Sequence, residues 1–542
     1  MAKTLLRNPA GKGWVIQKFG GTSIGKFPDK IADDIVRTYL ASNRLVVVCS
    51  ARSTGKKVTG TTSRLLDVFK KLRAIASSPT DETLQSALLA DARRIVQDIC
   101  DDHVAAVRTF VLDPVLRQVL EADTKDECDT LNEYLEVAKR FNLEINARAR
   151  DRVVSFGEKL SCRFMTCLLK DRGVDAEFVD LADVNHCDGD GRLDAVFYKT
   201  ITGAIRRKLD ACEDRVPVVT GFFGNVPGSL LEGDIGRGYT DLCAGLVAVG
   251  LKADELQIWK EVDGIFTADP TKVPTARLIP SITPSEAVEL TFYGSEVIHH
   301  MTMDQVIRAV PPIPTRIKNV KNPRGDGTIV QPDPLLAPHQ QIRRTTREPG
   351  LDQVDGASGS VSSSAGGAAA SKPKRPTAVT IKHHISIINI HSNKRSIAHG
   401  FFARVFSILN QHRVSVDLIS TSEVHVSMAV HTGGGGAGGS SCYRSADASQ
   451  PSGFDRAVRD LAADCGDVSV LHDMAILSLV GADMKNMIGI AGKMFSTLGD
   501  HNINIEMISQ GASEINISCV IETREAERAM NILHTNLFTF LE

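Results

Sequence analysis

Through the first 320 residues of the chain, the hydrophobic and polar positions alternate between a pattern typical of strands and a pattern typical of helices. Short apolar runs rich in β-branched residues alternate with stretches in which apolar residues recur at helical spacing. The runs lie at residues 14–16, 45–48, 176–179, 216–220, 256–259 and 315–317. Strands that alternate with helices build mostly parallel sheets covered by helices, so this pattern predicts an α/β domain over residues 14–340.

A long helical stretch interrupts this alternation. Between the second and third apolar runs, residues 63–150 keep a helical period, with Leu65, Leu66, Phe69 and Leu72 on one face. This segment predicts a helical insertion that covers one edge of the sheet.

The C-terminal part of the chain contains an internal repeat with an offset of 89 residues. Residues 400–420 and 489–509 align without a gap, and seven of the 21 aligned positions are identical. Each copy predicts a strand, an amphipathic helix and two further strands, which is half of a ferredoxin-like βαββαβ module. We expect two such modules, at residues 378–472 and 473–542, and the last strand of the chain could complete the first. A duplicated module suggests a regulatory pair, and the alternative is a purely structural dimerisation domain.

Two polar tracts punctuate this part of the chain. Residues 345–377 include a Ser/Gly/Ala tract, which predicts a disordered linker between the two halves. Residues 433–452 begin with four consecutive glycines and predict a flexible insertion within the first repeated module.

A glycine turn with one lysine follows the first apolar run. It reads Lys18-Phe19-Gly20-Gly21-Thr22-Ser23 and precedes a helical stretch at residues 29–40. Adjacent glycines let backbone N–H groups approach an anion, and the lysine adds a full charge, so the turn predicts a nucleoside triphosphate site. A Walker P-loop is a second interpretation, which Phe27 disfavours because that pattern needs a hydroxyl there. A plain surface turn is the third.

Three further elements carry candidate chemistry for the same cleft. Gly221 and Gly224 follow the apolar run at 216–220 and repeat the strand-to-glycine arrangement. Arg237 and Asp241 belong to a Gly-x-Gly segment that opens a helical stretch, so both side chains and the open amides are expected to face the cleft. Glu158 lies at a loop–helix junction, where helix capping and ligand binding are both compatible with the spacing.

Composition mainly excludes classes of partner. The chain has 63 basic and 65 acidic residues and a net charge of −2, so no broad basic surface indicates nucleic acid or an anionic membrane. Eleven cysteines without Cys-x-x-Cys spacing indicate reduced thiols. No apolar run approaches the roughly 20 residues of a membrane helix. We expect a cytoplasmic protein that binds neither nucleic acid nor membrane.

These motifs together resemble those of aspartate kinases. The resemblance rests on residues 18–23, 49–51, 155–161, 236–241, 259–270 and 293–299, in matching order and spacing, and the repeated modules resemble ACT domains. Tyr239-Thr240 stands where bacterial members usually have Gly-Ser, and Lys260-Glu261 where Thr-Asp is common. With the two polar tracts, these departures make the chain similar to the monofunctional fungal type.

The resemblance implies an amino-acid-kinase fold and transfer of the γ-phosphoryl group of ATP to the β-carboxylate of L-aspartate. It implies that Lys18 and Asp241 are catalytic and that substrate binding involves Ser50, Thr62, Glu158 and Arg237. The implied nucleotide contacts are Gly20, Gly21, Thr22, Ser23, Gly221, Gly224, Lys260, Glu261, Phe266, Glu296 and Val297. Mg²⁺ is expected to be held mainly by the phosphates and water, because it prefers oxygen ligands and keeps several waters.

The resemblance also implies feedback inhibition by an amino acid bound to the ACT-like pair. Candidate effector contacts are His399, Gly400, Asp417 and Ser422, since a helix N-terminus could hold a carboxylate and Asp417 an ammonium group. Threonine is the favoured effector, lysine is possible, and a homo-oligomer formed through the ACT domains is expected. A kinase for another carboxylate or carbamate and a catalytically silent amino-acid sensor are the competing hypotheses.

Overall fold

A computed structural model describes most of the chain. The described residues are 5–54, 60–78, 80–141, 143–184, 193–224, 226, 229–231, 235–236, 238–292, 298–331, 375–391, 400–422, 425–432, 453–511 and 515–539. Most of the predicted linker and the whole insertion at 433–452 lie outside these residues.

The N-terminal part contains an eight-stranded sheet, as the alternating apolar runs predict. Its strands in chain order are β1 (Trp14–Phe19), β2 (Arg44–Cys49), β3 (Ala176–Val179), β4 (Val216–Thr220), β5 (Glu255–Lys260), β6 (Ser281–Ile282), β7 (Thr315–Asn319) and β8 (Thr328–Val330). The spatial order is β3-β4-β2-β1-β5-β7-β8-β6. All pairs are parallel except β7 with β8. β2 and β4 are almost wholly apolar and buried because helices cover both faces of the sheet, whereas the neighbouring strands β1 and β5 pair a buried glutamine each, Gln17 and Gln257, through a hydrogen bond.

Helices pack on the two faces of this sheet. They are α1 (Gly21–Lys26), α2 (Arg37–Leu40), α3 (Thr61–Ser77), α4 (Glu82–Phe110), α5 (Pro114–Arg140), α6 (Ala147–Asp171), α7 (Ala195–Asp210), α8 (Tyr239–Leu251), α9 (Pro284–Phe292) and α10 (His300–Arg308). The helical stretch predicted at 29–40 is a π-helix, Lys30–Val36, that continues into α2. One apolar core joins the sheet to α7 and α8, and another joins it to α6 and the π-helix.

The predicted helical insertion consists of α3, α4 and α5. The apolar faces of these helices share a core with α6, which includes Leu65, Val96, Leu131 and Val153. The Asp113 side chain caps α5 by accepting from the N–H groups of Val115 and Leu116, directly beside the proline at the first helical position.

The repeated modules form one six-stranded antiparallel sheet with four helices. Its strands are β9 (Ala378–His391), β10 (Val416–Thr421), β11 (His425–His431), β12 (Asp467–Val480), β13 (Met507–Ser509) and β14 (Asn516–Glu522), in the order β10-β11-β9-β12-β14-β13. The helices are α11 (Phe401–Gln411), α12 (Gly453–Asp464), α13 (Ile490–Asp500) and α14 (Ala526–His534).

The two modules share their long strands. Residues 385–391 of β9 pair with β11 and with the start of β12, whereas residues 378–382 pair with the end of β12. The first half of β9 therefore supplies the fourth strand of the second module. This differs from the prediction that the last strand of the chain completes the first module, since the described chain ends after α14 in a short π-helix, Thr535–Thr539.

The second module packs directly against the N-terminal domain. Ala378 and Val480 share an apolar core with Ile282 and Leu290. The buried carboxylate of Glu286 on α9 accepts hydrogen bonds from Thr377 Oγ1, at 2.5 Å, and from the N–H of Ala482, at 2.8 Å. A polar anchor inside an apolar contact fixes the orientation of the two parts. Within the described residues, no helix is long and apolar enough to cross a membrane.

Candidate functional site

The candidate site lies where four parallel strands end together. Phe19 of β1 is level with Cys49 of β2 and Trp259 of β5, and Cys49 is level with Thr220 of β4. The segments that leave these strands therefore meet at one edge of the sheet, which is where ligands bind in open α/β sheets. Three of the predicted elements, the Lys18 turn, Ser50 and the glycines after residue 220, come together there.

Lys18 and Asp241 form an ion pair at this edge. Lys18 Nζ lies 2.7 Å from Asp241 Oδ1, and the two side chains are only 13% and 11% exposed. Asp241 is in the first turn of α8, which begins after Gly238 in a left-handed conformation with φ 95°. Burial alone would raise the pKa of Asp241, but the charges of Lys18 and Lys260 outweigh it and lower the pKa. Asp241 is therefore ionised at neutral pH.

A chain of hydroxyl groups connects Ser50 with Glu158. Ser50 Oγ donates to Thr240 Oγ1 at 3.0 Å, and Thr240 Oγ1 donates to Glu158 Oε1 at 3.2 Å. Glu158 lies in the middle of α6, not at the predicted loop–helix junction, so it does not cap a helix, and it is 1% exposed. Burial raises its pKa to about 7, although Tyr239, Thr240 and the charge of Lys18 act in the opposite direction. Desolvation thus holds this carboxyl at the border of ionisation at physiological pH.

The glycine turn packs closely against the segment that follows β2. A Cβ atom added to Gly21 would lie 1.9 Å from the carbonyl oxygen of Ala51, whereas a Cβ on Gly20 would meet nothing within 4 Å. Helix α1 starts at Gly21, earlier than the helix predicted at residue 29, and it contains Thr22 and the buried Ser23. Gly20 therefore keeps an open approach for a ligand, and Gly21 allows two backbone segments to touch.

Gly221, one of the predicted nucleotide contacts, packs closely at the sheet edge. Its N–H donates to the carbonyl oxygen of Cys49 at 3.1 Å, so this amide is already used within the sheet edge. A Cβ at this position would lie 2.4 Å from Thr240 Cγ2. Gly221 therefore makes room for Thr240, while Gly224, with φ 92°, supplies the left-handed turn after β4.

The remaining predicted nucleotide contacts are only partly brought together. Lys260 ends β5 close enough to Asp241 to lower its pKa. The carboxylate of Glu261 forms ion pairs with two lysines, since its Oε2 atom lies 3.8 Å from Lys26 Nζ and 3.7 Å from Lys321 Nζ. Phe266 is half-buried in an isolated bridge with Leu278. The nucleotide contacts Glu296 and Val297 lie outside the described residues. Of the predicted substrate contacts, Thr62 is half-buried in the first turn of α3, and Arg237 also lies outside the described residues.

Two residues at the site were not among the predicted contacts. Thr240 stands between Ser50 and Glu158, and its only sequence signal is its position in the first turn of a predicted helix. His299 donates from Nε2 to the carbonyl oxygen of Ile235 at 2.9 Å, and a Cβ on Gly238 would lie 2.9 Å from its ring. The motif at 293–299 contains this histidine, but it gives no indication of the close contact with Gly238.

The predicted effector residues are not gathered into one described pocket. Gly400 precedes α11 with φ 99°, and Gly489 precedes α13 in the same conformation, as the repeat predicts. Asp417 is 4% exposed and pairs with Lys382 Nζ at 2.8 Å. Ser422 closes the turn between β10 and β11, where its N–H donates to the carbonyl oxygen of His425. His399 lies outside the described residues.

The fold and this site define a small-molecule kinase of the amino acid kinase class. The profile of the amino acid kinase family matches residues 13–319, and that of an ACT domain matches residues 477–537.

Relatives that match over nearly their whole length identify the family within this class. An aspartate kinase of Gibberella moniliformis is 52% identical over 537 residues, which cover 98% of this chain and 99% of the relative. The aspartokinase of Schizosaccharomyces pombe is 49% identical, and the match covers 99% of this chain and 95% of that relative. The crystal structure of E. coli aspartokinase III in complex with aspartate and ADP matches this chain with a TM-score of 0.65 at 26% identity. The match covers 97% of this chain and 99% of that one. The chain belongs to the aspartate kinase family, which confirms the predicted fold and enzyme class.

Proposed function

We propose that this protein transfers the γ-phosphoryl group of ATP to the β-carboxylate of L-aspartate and so forms 4-phospho-L-aspartate. The observation that carries the proposal is the Lys18–Asp241 pair, which lies beside the Ser50–Thr240–Glu158 chain at the carboxyl ends of parallel strands. One cation for phosphates and one buried carboxyl for an ammonium group are what this pair of substrates requires.

Lys18 serves the phosphate side of the reaction. Its ammonium group would contact the β and γ oxygens and follow the transferring group, while Gly20, Gly21, Thr22, Ser23 and Gly224 line the path of the phosphates. Lys260 adds a second positive charge near Asp241. Mg²⁺ bound to the phosphates would neutralise charge on them, and the ionised carboxylate of Asp241 is compatible with its preference for oxygen ligands.

Glu158 serves the aspartate side. Its buried carboxylate would pair with the α-ammonium group of L-aspartate, and Ser50 and Thr62 would add hydroxyl contacts. Arg237 keeps its predicted role as the bidentate partner of the α-carboxylate. These contacts place the β-carboxylate of the substrate toward Lys18 and Asp241.

The transfer step needs no general base. The β-carboxylate of L-aspartate has a pKa near 4 in its free form, so it is already an anionic nucleophile at neutral pH. The barrier is then lowered by alignment of the two substrates and by compensation of charge at the transferring group. Asp241 would orient Lys18 through the 2.7 Å contact and thus position its charge.

The C-terminal modules would make the enzyme sensitive to an end-product amino acid, and threonine is the favoured effector. A crystal structure of E. coli aspartokinase III in complex with lysine and aspartate, with a TM-score of 0.67 at 26% identity, supports an amino-acid effector in addition to the substrate. Because Asp417 already pairs with Lys382, an effector ammonium group would have to displace Lys382. Exposed Phe402, Phe406 and Ile508 support a homo-oligomer formed through the modules.

The test is ATP-dependent acyl phosphate formation, with the product trapped by hydroxylamine. Product with L-aspartate, inhibition by millimolar threonine and at least a 1,000-fold lower rate for Lys18→Ala would support the proposal, since removal of transition-state charge compensation typically costs about that factor. Lys12→Ala, which changes an exposed lysine, is the control. Product with another carboxylate but not with L-aspartate would refute the substrate assignment. An inactive protein that still binds amino acids would favour a silent sensor.

A further inference from the structure

The segment that carries Ser50 is attached to the helical insertion by an ion pair between a buried arginine and a half-buried aspartate. Arg52 lies two residues after Ser50, and its side chain is only 5% exposed. Its Nη1 atom donates to Asp102 Oδ2 at 2.8 Å and lies 3.4 Å from the carbonyl oxygen of Asp102. Asp102 belongs to α4, which lies in the insertion rather than in the sheet domain.

Backbone contacts hold the other sides of this segment. The N–H of Arg52 donates to Ser161 Oγ on α6 at 2.7 Å, and the N–H of Ser53 donates to the carbonyl oxygen of Gly21 at 3.0 Å. Thr61 at the start of α3 donates its N–H to the carbonyl oxygen of Arg52. The segment thus has one support on α6, one on the glycine turn and one on α3. The Arg52 side chain provides the connection to α4.

The charges around Asp102 make its carboxylate important for that connection. Burial lowers the pKa of Arg52, and the charge of Asp102 opposes this effect. Arg64 approaches the same carboxylate oxygen, with its Nη2 atom 4.0 Å from Asp102 Oδ2. His103, the next residue, is buried, and its pKa is lowered to about 3 by burial and by the charges of Arg52 and Arg64. Asp102 therefore balances two guanidinium groups beside a neutral histidine.

We infer that Asp102 is a positioning residue for the aspartate-binding side of the site and that it acts through Arg52 on Ser50. This inference rests on the proposed function. Without the Asp102 charge, the buried guanidinium of Arg52 has to move toward water or another anion, because an uncompensated buried cation is unfavourable. That movement shifts the segment on which Ser50 donates to Thr240, and Thr240 in turn contacts Glu158.

The first test separates the two substrates kinetically. Asp102→Asn keeps the shape of the side chain but removes its charge, and we expect the KM for L-aspartate to rise about tenfold, which corresponds to loss of one hydrogen-bonded contact. The KM for ATP should change less, because Lys18 is held by β1 and Asp241, although Ser53 of this segment is also hydrogen-bonded to Gly21 of the glycine turn. Asp102→Glu, which restores the charge, should recover much of the affinity. The matched control is Asp98→Asn, an exposed position one turn earlier on α4.

The second test does not depend on activity. Hydrogen exchange of the Arg52 and Ser53 amides should become faster in Asp102→Asn than in the unaltered protein or in Asp98→Asn, since both amides are hydrogen-bonded in the anchored segment. Faster exchange in a protein that does not phosphorylate L-aspartate would refute the proposed function but support the structural step. Unchanged exchange, or equal increases in both KM values, would overturn the inference.

A double variant keeps the inference testable if Asp102→Asn does not fold. Arg52→Met combined with Asp102→Asn removes both charges of the closer pair, so the Arg52 cation is no longer left without its anion. Arg64, whose side chain is 25% exposed, is still reached by water. This protein is expected to fold and to show the same selective rise in the KM for L-aspartate, because the connection to α4 is still missing. A KM for L-aspartate equal to that of the unaltered protein would contradict the positioning role.

Discussion

Glu158 provides a direct test of the proposed aspartate site because its pKa lies within the range of an ordinary assay. Burial raises this pKa to about 7, and only the ionised form can pair with the ammonium group of L-aspartate. About nine tenths of the carboxyl groups are ionised at pH 8 and about one tenth at pH 6. The apparent KM for L-aspartate should therefore be about tenfold higher at pH 6 than at pH 8.

Glu158→Gln is the perturbation that identifies the titrating group. The amide carries no charge at any pH, so the KM for L-aspartate should be nearly constant from pH 6 to pH 8. Loss of a charge-assisted hydrogen bond, worth about 1.5–3 kcal/mol, should raise this KM about 10- to 150-fold above that of the unaltered enzyme at pH 8. The KM for ATP should stay nearly constant, since in the proposed site the phosphates contact Lys18 and the glycine turn rather than Glu158.

The assay follows ADP release at saturating ATP while L-aspartate is varied at each pH. Thr240→Val gives a second check, because loss of its hydroxyl donor at 3.2 Å should raise the pKa of Glu158 further and move the midpoint of the KM profile to higher pH. A flat profile in the unaltered enzyme would refute the reasoning. So would a Glu158→Gln enzyme that keeps the tenfold slope, since another group would then be responsible.

Three further predictions concern other parts of the structure. Asp241→Asn removes the charge that holds Lys18 at 2.7 Å, so single-turnover measurements should show a fall of about 100-fold or more in phosphoryl transfer. Gly221→Ala places a Cβ 2.4 Å from Thr240 and should lower the unfolding free energy by about 1–3 kcal/mol in urea denaturation, whereas Gly203→Ala, with no neighbour closer than 3.8 Å, should not. Glu286→Ala removes the acceptor for Thr377 and Ala482, so calorimetry should show a lower unfolding temperature and activity assays should show weaker inhibition by the effector. Inhibition identical to that of the unaltered enzyme would contradict a coupling role for this contact.

The sequence by itself determined the features that depend on local pattern. Apolar runs predicted the central strands, because strands buried on both faces need continuous apolar residues, and the 89-residue repeat predicted two related modules. The Lys18 turn was recognisable because a strand, two glycines and a lysine are neighbours in the chain. The roles of Lys18, Asp241 and Glu158 are still predictions, but their positions at one sheet edge follow from the parallel order of the strands.

The tertiary structure decided which distant residues meet. Thr240 bridges Ser50 and Glu158 across 190 and 82 residues of chain, and Asp102 reaches Arg52 from a separate helical layer. The first half of β9 also belongs to the second module, because it pairs with the end of β12, and the hydrophobic pattern of the sequence does not predict this pairing. Local patterns report burial and backbone preference, whereas these contacts depend on how layers of the fold pack together. The same packing requires a glycine at position 221 to make room for Thr240, which the local sequence does not reveal.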